Sequence, residues 1–94
     1  MPLFVLHWDD DPNFKASDEL RQQHLAYFMD RADKVVFGVA QTNDQSQSVG
    51  RTVVVDVATR KDAEDFLYNE PLFKAGKTKT SKITFGRIVQ QRAS

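Results

Sequence analysis

The sequence contains no cysteine and only four glycines, and both shortages limit the chemistry that it can support. Without cysteine it has no disulfide, thiolate nucleophile, iron–sulfur cluster or cysteine-based zinc site. Its four scattered glycines do not make the phosphate loops or dinucleotide fingerprints that need glycines at fixed spacing. Any reaction must therefore use His, Asp, Glu, Arg, Lys, Ser, Thr or Tyr side chains, and we expect no cofactor.

Long apolar runs are also missing. No stretch approaches the roughly 20 apolar residues of a membrane-spanning helix, and the first residues, MPLFVLHW, lack the basic start and cleavage site of a secretory signal. We therefore expect a cytoplasmic protein with no membrane partner. At 94 residues, 40% of them hydrophobic, the chain is expected to be one domain over residues 1–94.

Charge is balanced in total but uneven along the chain. All thirteen acidic residues lie in residues 1–70, whereas residues 71–94 contain six bases and no acid. A strand with solvated lysines accounts for this distribution, and a nucleic-acid face is the alternative. The segment ITFGRIVQ lacks the glycine and aromatic pattern of an RNA-binding strand and the net charge is zero, so we expect no nucleic-acid partner.

The periodicity of apolar residues predicts four strands and two helices. The strands are expected over residues 3–8, 34–42, 50–59 and 81–90. The first helix is expected to begin after Ser17 and to end near Asp33. The second is expected to begin after Thr59 and to end before Pro71, because proline disfavours helical angles in the residue before it. Residues 72–77, LFKAGK, are expected to form a linker.

This order, β-α-β-β-α-β, predicts a ferredoxin-like α+β fold, an antiparallel sheet with both helices on one face. The strand segments LFVL, VVF and VVV are apolar at consecutive positions, so both faces of the sheet are expected to be hydrophobic. The helices can cover only one of these faces. We therefore expect a homodimer in which two sheets pack face to face.

His24 is the first candidate for catalysis. It lies in the apolar stripe of the first helix, where a histidine with satisfied hydrogen bonds is the plain structural explanation. The first strand, however, ends in Asp9, Asp10 and Asp11, and a carboxylate of that turn can reach the inner side of the helix. Such an Asp–His pair would orient the imidazole and increase its basicity, as a general base requires.

Three further side chains are candidates for substrate binding. Arg21 lies three residues before His24 on the same helix and can pair with an anionic substrate or with a nearby acid. Trp8 and Phe28 can line a pocket, although aromatic residues at such positions are usually core. A metal site of His7, His24 and an aspartate can be drawn, but two histidines without a recurring ligand spacing predict no metal.

Several motifs, taken in order, resemble the YCII-related (YciI-like) family. They are FVLHWDDDPN at the first strand, RQQHLAYF in the first helix, Gly38, and NEPLFKAG before the last strand. The resemblance spans nearly the whole chain and implies a dimeric α+β barrel of ferredoxin-like subunits. It also implies an active site built on His24 and Asp10. Related dehydrochlorinase and muconolactone-isomerase-type enzymes imply acid–base or elimination chemistry.

The chain departs from this family pattern at three positions. Glu70 stands where members have an aspartate before the proline, so it is a candidate substrate-binding carboxylate with a reach that is one methylene longer. Val39 replaces the proline of a Gly-Pro turn, and Lys77 replaces an apolar residue. We expect these differences to change which substrate is bound more than they change the fold.

Two functions are open at this point. In the first, a dimeric, cofactor-independent enzyme of lyase or isomerase type uses Asp10 and His24 to move a proton on a small, anionic organic substrate. In the second, the same fold is a non-catalytic module that binds a small ligand or regulates a partner. A solvent-reachable cavity shared by His24 and Asp10 would favour the enzyme.

Overall fold

Four antiparallel strands form one sheet in the computed structural model, which describes residues 2–92. The strands are β1 (Leu3–Asp10), β2 (Val35–Thr42), β3 (Ser48–Asp56) and β4 (Thr78–Gly86). Their order across the sheet is β2-β3-β1-β4, so β1 and β3 are central and β2 and β4 are the edges. The predicted ferredoxin-like α+β fold is confirmed.

Three α-helices accompany the sheet in the described part of the chain. They are α1 (Asp18–Asp30), α2 (Arg60–Tyr68) and the short α3 (Pro71–Lys74). Both predicted N-caps are present, because the Ser17 hydroxyl accepts the Leu20 N–H and the Thr59 hydroxyl accepts the Asp62 N–H, each at 3.1 Å. The beginnings of the two long helices were therefore predictable from local sequence.

The end of α1 differs from the prediction. The helix ends at Asp30 instead of near Asp33, and a short 3₁₀ helix, Ala32–Lys34, follows it. The Arg31 N–H donates to the Phe28 carbonyl at 3.2 Å, three residues back, which tightens the last turn. This tighter turn leads directly into β2.

The predicted linker and last strand also differ from the structure. Part of the linker is α3, where Pro71 occupies the first helical position and the Glu70 side chain accepts the Leu72 N–H at 2.6 Å. Strand β4 begins three residues earlier than predicted, because Thr78 pairs with Asp10 across a bulge in the β1–β4 ladder. It ends at Gly86, so Ile88 lies outside the strand.

The core lies between the sheet and the helices. Alternate residues of β1 are buried there, and Phe4, Leu6 and Trp8 are each at most 1% exposed. Their partners are the inward side chains of β3 and of the helices, namely Val53, Val55, Tyr27, Ala63, Phe66 and Leu67. Each large apolar side chain buried here stabilises the fold by roughly 1.5–3 kcal/mol.

The opposite surface of the sheet, which we call the open face, carries an apolar patch. Phe37 and Val39 of β2 lie there, at 54% and 50% exposed, together with Val5 and Val54.

No helix within residues 2–92 has the length and apolar composition that crossing a bilayer requires.

Candidate functional site

Five ionisable side chains meet on the helix side of the sheet, near the end of β1. They are Asp10, His24, Arg51, Glu70 and Lys77, and we call them the charge cluster. Each comes from a different segment: β1, α1, β3, the residue before α3 and the residue before β4. Because these segments are distant in sequence, the cluster exists only in the folded chain.

Glu70 is the centre of the charge cluster and is completely buried. Its carboxylate accepts three hydrogen bonds, from the Leu72 backbone N–H at 2.6 Å, from His24 Nδ1 at 3.1 Å and from Arg51 Nη1. The Leu72 contact is the N-cap of α3, so the same side chain begins a helix and contacts both His24 and Arg51. A carboxylate without water needs donors of this kind.

The balance of these contacts keeps Glu70 ionised. Burial raises the pKa of Glu70, because water no longer solvates its charge. The His24 hydrogen bond, the charge and hydrogen bond of Arg51, and the Leu72 N–H lower that pKa by more, so it lies below its usual value of 4.5. At neutral pH Glu70 is therefore a carboxylate, which accepts hydrogen bonds and donates none.

His24 consequently has a defined tautomer when it is neutral. Since Glu70 can only accept, the hydrogen-bond network assigns the shared hydrogen to His24 Nδ1 and the lone pair to Nε2. The side chain is 22% exposed, and the edge of its ring packs against Phe28 with the ring centroids 4.9 Å apart. An oriented imidazole whose Nε2 has no hydrogen-bond partner within residues 2–92 can act as a general base.

The carboxylate that contacts His24 is Glu70 and not the expected Asp10. Asp10 instead accepts the Ser48 hydroxyl at 3.3 Å and lies 3.5 Å from Lys77 Nζ and 3.6 Å from Arg51 Nη2. The reason is that β1 continues through Asp10 as paired strand rather than turning at Trp8. The Asp10 side chain is thus held in the sheet, 2% exposed, between two cations.

Of the side chains predicted to bind substrate, some lie beside the charge cluster and one lies away from it. Arg21 lies on the outer surface of α1, with its side chain 64% exposed, and pairs with Asp18 at 3.2 Å. Trp8 and Phe28 adjoin the charge cluster: the Arg51 guanidinium lies 4.9 Å from the Trp8 ring centroid, and Phe28 packs against both Trp8 and His24. The structure therefore brings Glu70 and Phe28 into contact with His24 and places Trp8 beside Arg51, whereas Arg21 lies outside the site.

Arg51 was not identified as a site residue from the sequence, although a signal was present. Strand alternation puts position 51 on the same face as Val53 and Val55, which are core residues. A charged residue at a position that alternation assigns to the buried face needs a buried partner. Arg51 is 7% exposed, and its partners are Glu70 and Asp10.

Two donors in this region are buried without a hydrogen-bond partner among the described residues. They are the Nε1 atom of Trp8 and the Nε atom of Arg51. Buried donors of this kind are usually paired, with protein, water or a ligand. Because both atoms are inaccessible to solvent, a ligand oxygen would reach them only if neighbouring side chains moved.

Two cavities of the described chain lie away from the charge cluster. One, of about 690 Å³, is lined by residues near the C-terminal end of α1 and beside α2, including Tyr27, Asp56 and Phe66. Another, of about 260 Å³, lies between the open face and residues 87–91. His24 and Asp10 line neither of these two cavities.

His7 lies on the open face, across the sheet from His24. Its Nδ1 and Nε2 atoms are 2.8 Å from Thr52 Oγ1 and Asp9 Oδ1. Hydrogen bonds from Thr80 and from His7 hold the pKa of Asp9 below its ordinary range. The metal site drawn from His7 and His24 is therefore not present, because the sheet separates them.

Comparisons with known proteins agree with this fold. A sequence profile of the YCII-related domain matches residues 2–84. The structure is similar to 5-chloro-2-hydroxyhydroquinone dehydrochlorinase (TftG) from Burkholderia phenoliruptrix AC1100, solved with 2,5-dihydroxybenzoquinone. The TM-score is 0.73 at 20% identity, over 90% of this chain and 93% of that one. The structure also matches an uncharacterized NIPSNAP domain protein from Burkholderia xenovorans over both full chains, with a TM-score of 0.45 at 9% identity. No curated protein matches. By the profile match, the chain belongs to the YCII-related domain family.

Proposed function

We propose that this protein is a small enzyme of lyase or isomerase type that works without a bound cofactor and uses His24 Nε2 as its base. The observation that carries the proposal is the hydrogen bond from His24 Nδ1 to the buried Glu70 carboxylate, which orients the ring and leaves Nε2 free. General acid–base catalysis by such a group contributes roughly 10²–10⁴-fold in rate. Glu70 is then an orienting residue rather than a substrate ligand.

Hydroxylated six-membered rings are the substrate class that we propose. The structurally similar dehydrochlorinase holds 2,5-dihydroxybenzoquinone. In a dehydrochlorination the keto tautomer of the ring, whose C–Cl carbon is sp³, loses a proton to His24 Nε2. The electrons of the broken bond to hydrogen form a new double bond, and chloride leaves with the electrons of its C–Cl bond. No oxidant or reductant is needed. The deprotonated ring is the anion expected from the sequence.

Ligand binding and chloride release test this proposal. The probes are 2,5-dihydroxybenzoquinone, followed by calorimetry, and 5-chloro-2-hydroxyhydroquinone, followed by ion chromatography of chloride. We expect the wild type to bind the first and dechlorinate the second, and His24→Gln to lose about 100-fold or more in rate. The matched control is His7→Gln, which changes the other histidine on the opposite face. Equal activity of the wild type and His24→Gln would contradict the proposal.

The assembly that we propose is a homodimer formed through the open face. Exposed Phe37 and Val39 form, with Val5 and Val54, an apolar surface on a sheet whose other face is already covered. A second copy covers this surface by an isologous contact. Light scattering at micromolar concentration should give the mass of a dimer, and a monomeric mass would remove this part of the proposal. The cytoplasmic location remains an expectation from the sequence.

A non-catalytic, ligand-binding or regulatory module is the second candidate. The observation that favours it is that the two cavities are lined by residues other than His24. In that case ring compounds would bind the wild type and His24→Gln equally, and neither protein would release chloride. Chloride release by the wild type and by His24→Gln therefore distinguishes the two functions.

A further inference from the structure

Arg51 is the buried cation of the charge cluster, and the proposed reaction assigns it no step. Its guanidinium donates to Glu70 from Nη1 and to Thr78 Oγ1 from Nη2, at 3.3 Å, and Nη2 lies 3.6 Å from Asp10 Oδ1. The side chain is 8% exposed. Arg51 thus lies between the two buried carboxylates of the site and contacts both.

The charges of the cluster balance only when Arg51 is counted. With His24 neutral, two carboxylates, Asp10 and Glu70, face two cations, Arg51 and Lys77. Lys77 contacts Asp10, so Arg51 is the permanently charged cation that contacts Glu70. Buried carboxylates without a nearby cation take up protons, because their charged forms lose solvation.

We propose that Arg51 is a positioning residue: its contact keeps Glu70 a hydrogen-bond acceptor, which holds the hydrogen of His24 on Nδ1 and leaves the lone pair on Nε2. This inference rests on the proposed function. Arg51 acts through Glu70, because its positive charge and its hydrogen bond favour the ionised form of that carboxyl group. Removing that charge makes the His24–Glu70 pair take up a proton, on either residue, and the free lone pair on His24 Nε2 is lost.

The test is nitrogen-15 NMR of the His24 ring at neutral to mildly alkaline pH, because the two ring nitrogens report directly which of them carries hydrogen. The wild type is expected to show hydrogen on Nδ1 and a lone pair on Nε2. Arg51→Met is expected to show either a doubly protonated ring or hydrogen on Nε2 at the same pH. Arg51→Lys, which keeps the charge, should retain the wild-type pattern.

Loss of one buried charge can also unfold the chain, so a balanced variant is included. Asp10→Asn combined with Arg51→Met removes one acid and one base and leaves Glu70 without its arginine. It should fold better than Arg51→Met and still show the protonated pair. A wild-type ring with hydrogen on Nε2 would overturn the inference, as would an unchanged Nδ1–H pattern in the balanced variant.

Failure of this inference and failure of the proposed function give different results. If Arg51 does not control the tautomer, the NMR pattern is the same in all variants, while His24→Gln still loses dechlorination. If the protein is not an enzyme, chloride is not released by any variant, while the NMR pattern still changes with Arg51. Thr78→Val removes only the Nη2 contact with the hydroxyl and should leave the NMR pattern unchanged.

Discussion

Replacing Glu70 with glutamine removes one negative charge from the centre of the cluster and leaves the shape of the side chain nearly unchanged. The carboxylate accepts from three donors, Leu72 N–H, His24 Nδ1 and Arg51 Nη1. An amide offers one oxygen and one NH₂ group. In either orientation its NH₂ group meets an N–H donor, so at least one buried hydrogen bond is lost and Arg51 loses a counter-charge.

The magnitude follows from the burial of the pair. Removing one partner of a buried ion pair costs about 3–5 kcal/mol. In Glu70→Gln, Arg51 still has the Asp10 carboxylate at 3.6 Å, and the amide oxygen still accepts a hydrogen bond. We therefore expect the loss of stability to be at the low end of this range, about 3 kcal/mol. For a domain of this size, 1 kcal/mol corresponds to roughly 4–8 °C in Tm, so Tm should fall by roughly 12–24 °C.

The assay is urea unfolding at pH 7, supported by thermal melts. The matched control is Glu64→Gln, because the pair of Glu64 with Arg60 is separated by 3.8 Å and both side chains are largely exposed. Exposed pairs of this kind contribute at most about 0.5 kcal/mol. If Glu70→Gln and Glu64→Gln were equally stable, the charge cluster would not contribute to stability as argued here.

Three further predictions concern pH, the open face and backbone packing. Because its pKa in the folded protein is lowered, Glu70 contributes stability fully above the usual value of 4.5 and loses it as pH falls through the lower folded value. The stability difference between the wild type and Glu70→Gln should therefore shrink in urea titrations below that pH. A difference that stays constant with pH would contradict a lowered pKa of Glu70. Phe37→Glu should convert the proposed dimer to a monomer by light scattering, whereas Leu25→Glu, at a 61% exposed site on α1, should not. A Cβ at Gly50 would lie 2.9 Å from the Trp8 carbonyl oxygen, so Gly50→Ala should cost about 1–3 kcal/mol in thermal melts. At Gly38 the corresponding contact is an ordinary 3.5 Å, so Gly38→Ala should remain within about 0.5 kcal/mol of the wild type.

The features that were predictable from sequence are those that depend on neighbouring residues. Ser17 and Thr59 cap helices because their hydroxyl groups reach N–H groups three residues later. The alternation of buried side chains in β1 follows from the geometry of a strand. The order of the elements then leaves few possible topologies, which is why the ferredoxin-like fold could be inferred.

Element boundaries that depend on distant partners were missed. Strand β4 extends back to Thr78 because Asp10, on another strand, is available to pair with it. Helix α3 forms where a linker was expected because Glu70 caps it, and Glu70 is held in place by Arg51 and His24. No window of neighbouring residues contains these partners.

The sequence by itself placed His24 in the apolar stripe of the first helix and made an acid its candidate partner, beside the plain alternative of a structural histidine. Only the tertiary structure decided which acid. Asp10 lies near in sequence but belongs to paired strand, with its carboxylate held by Arg51 and Lys77, whereas Glu70, 46 residues after His24, is placed against the ring by α3. The physical reason is that a buried carboxylate must lie where donors converge, and strand pairing and helix packing determine where the donors are.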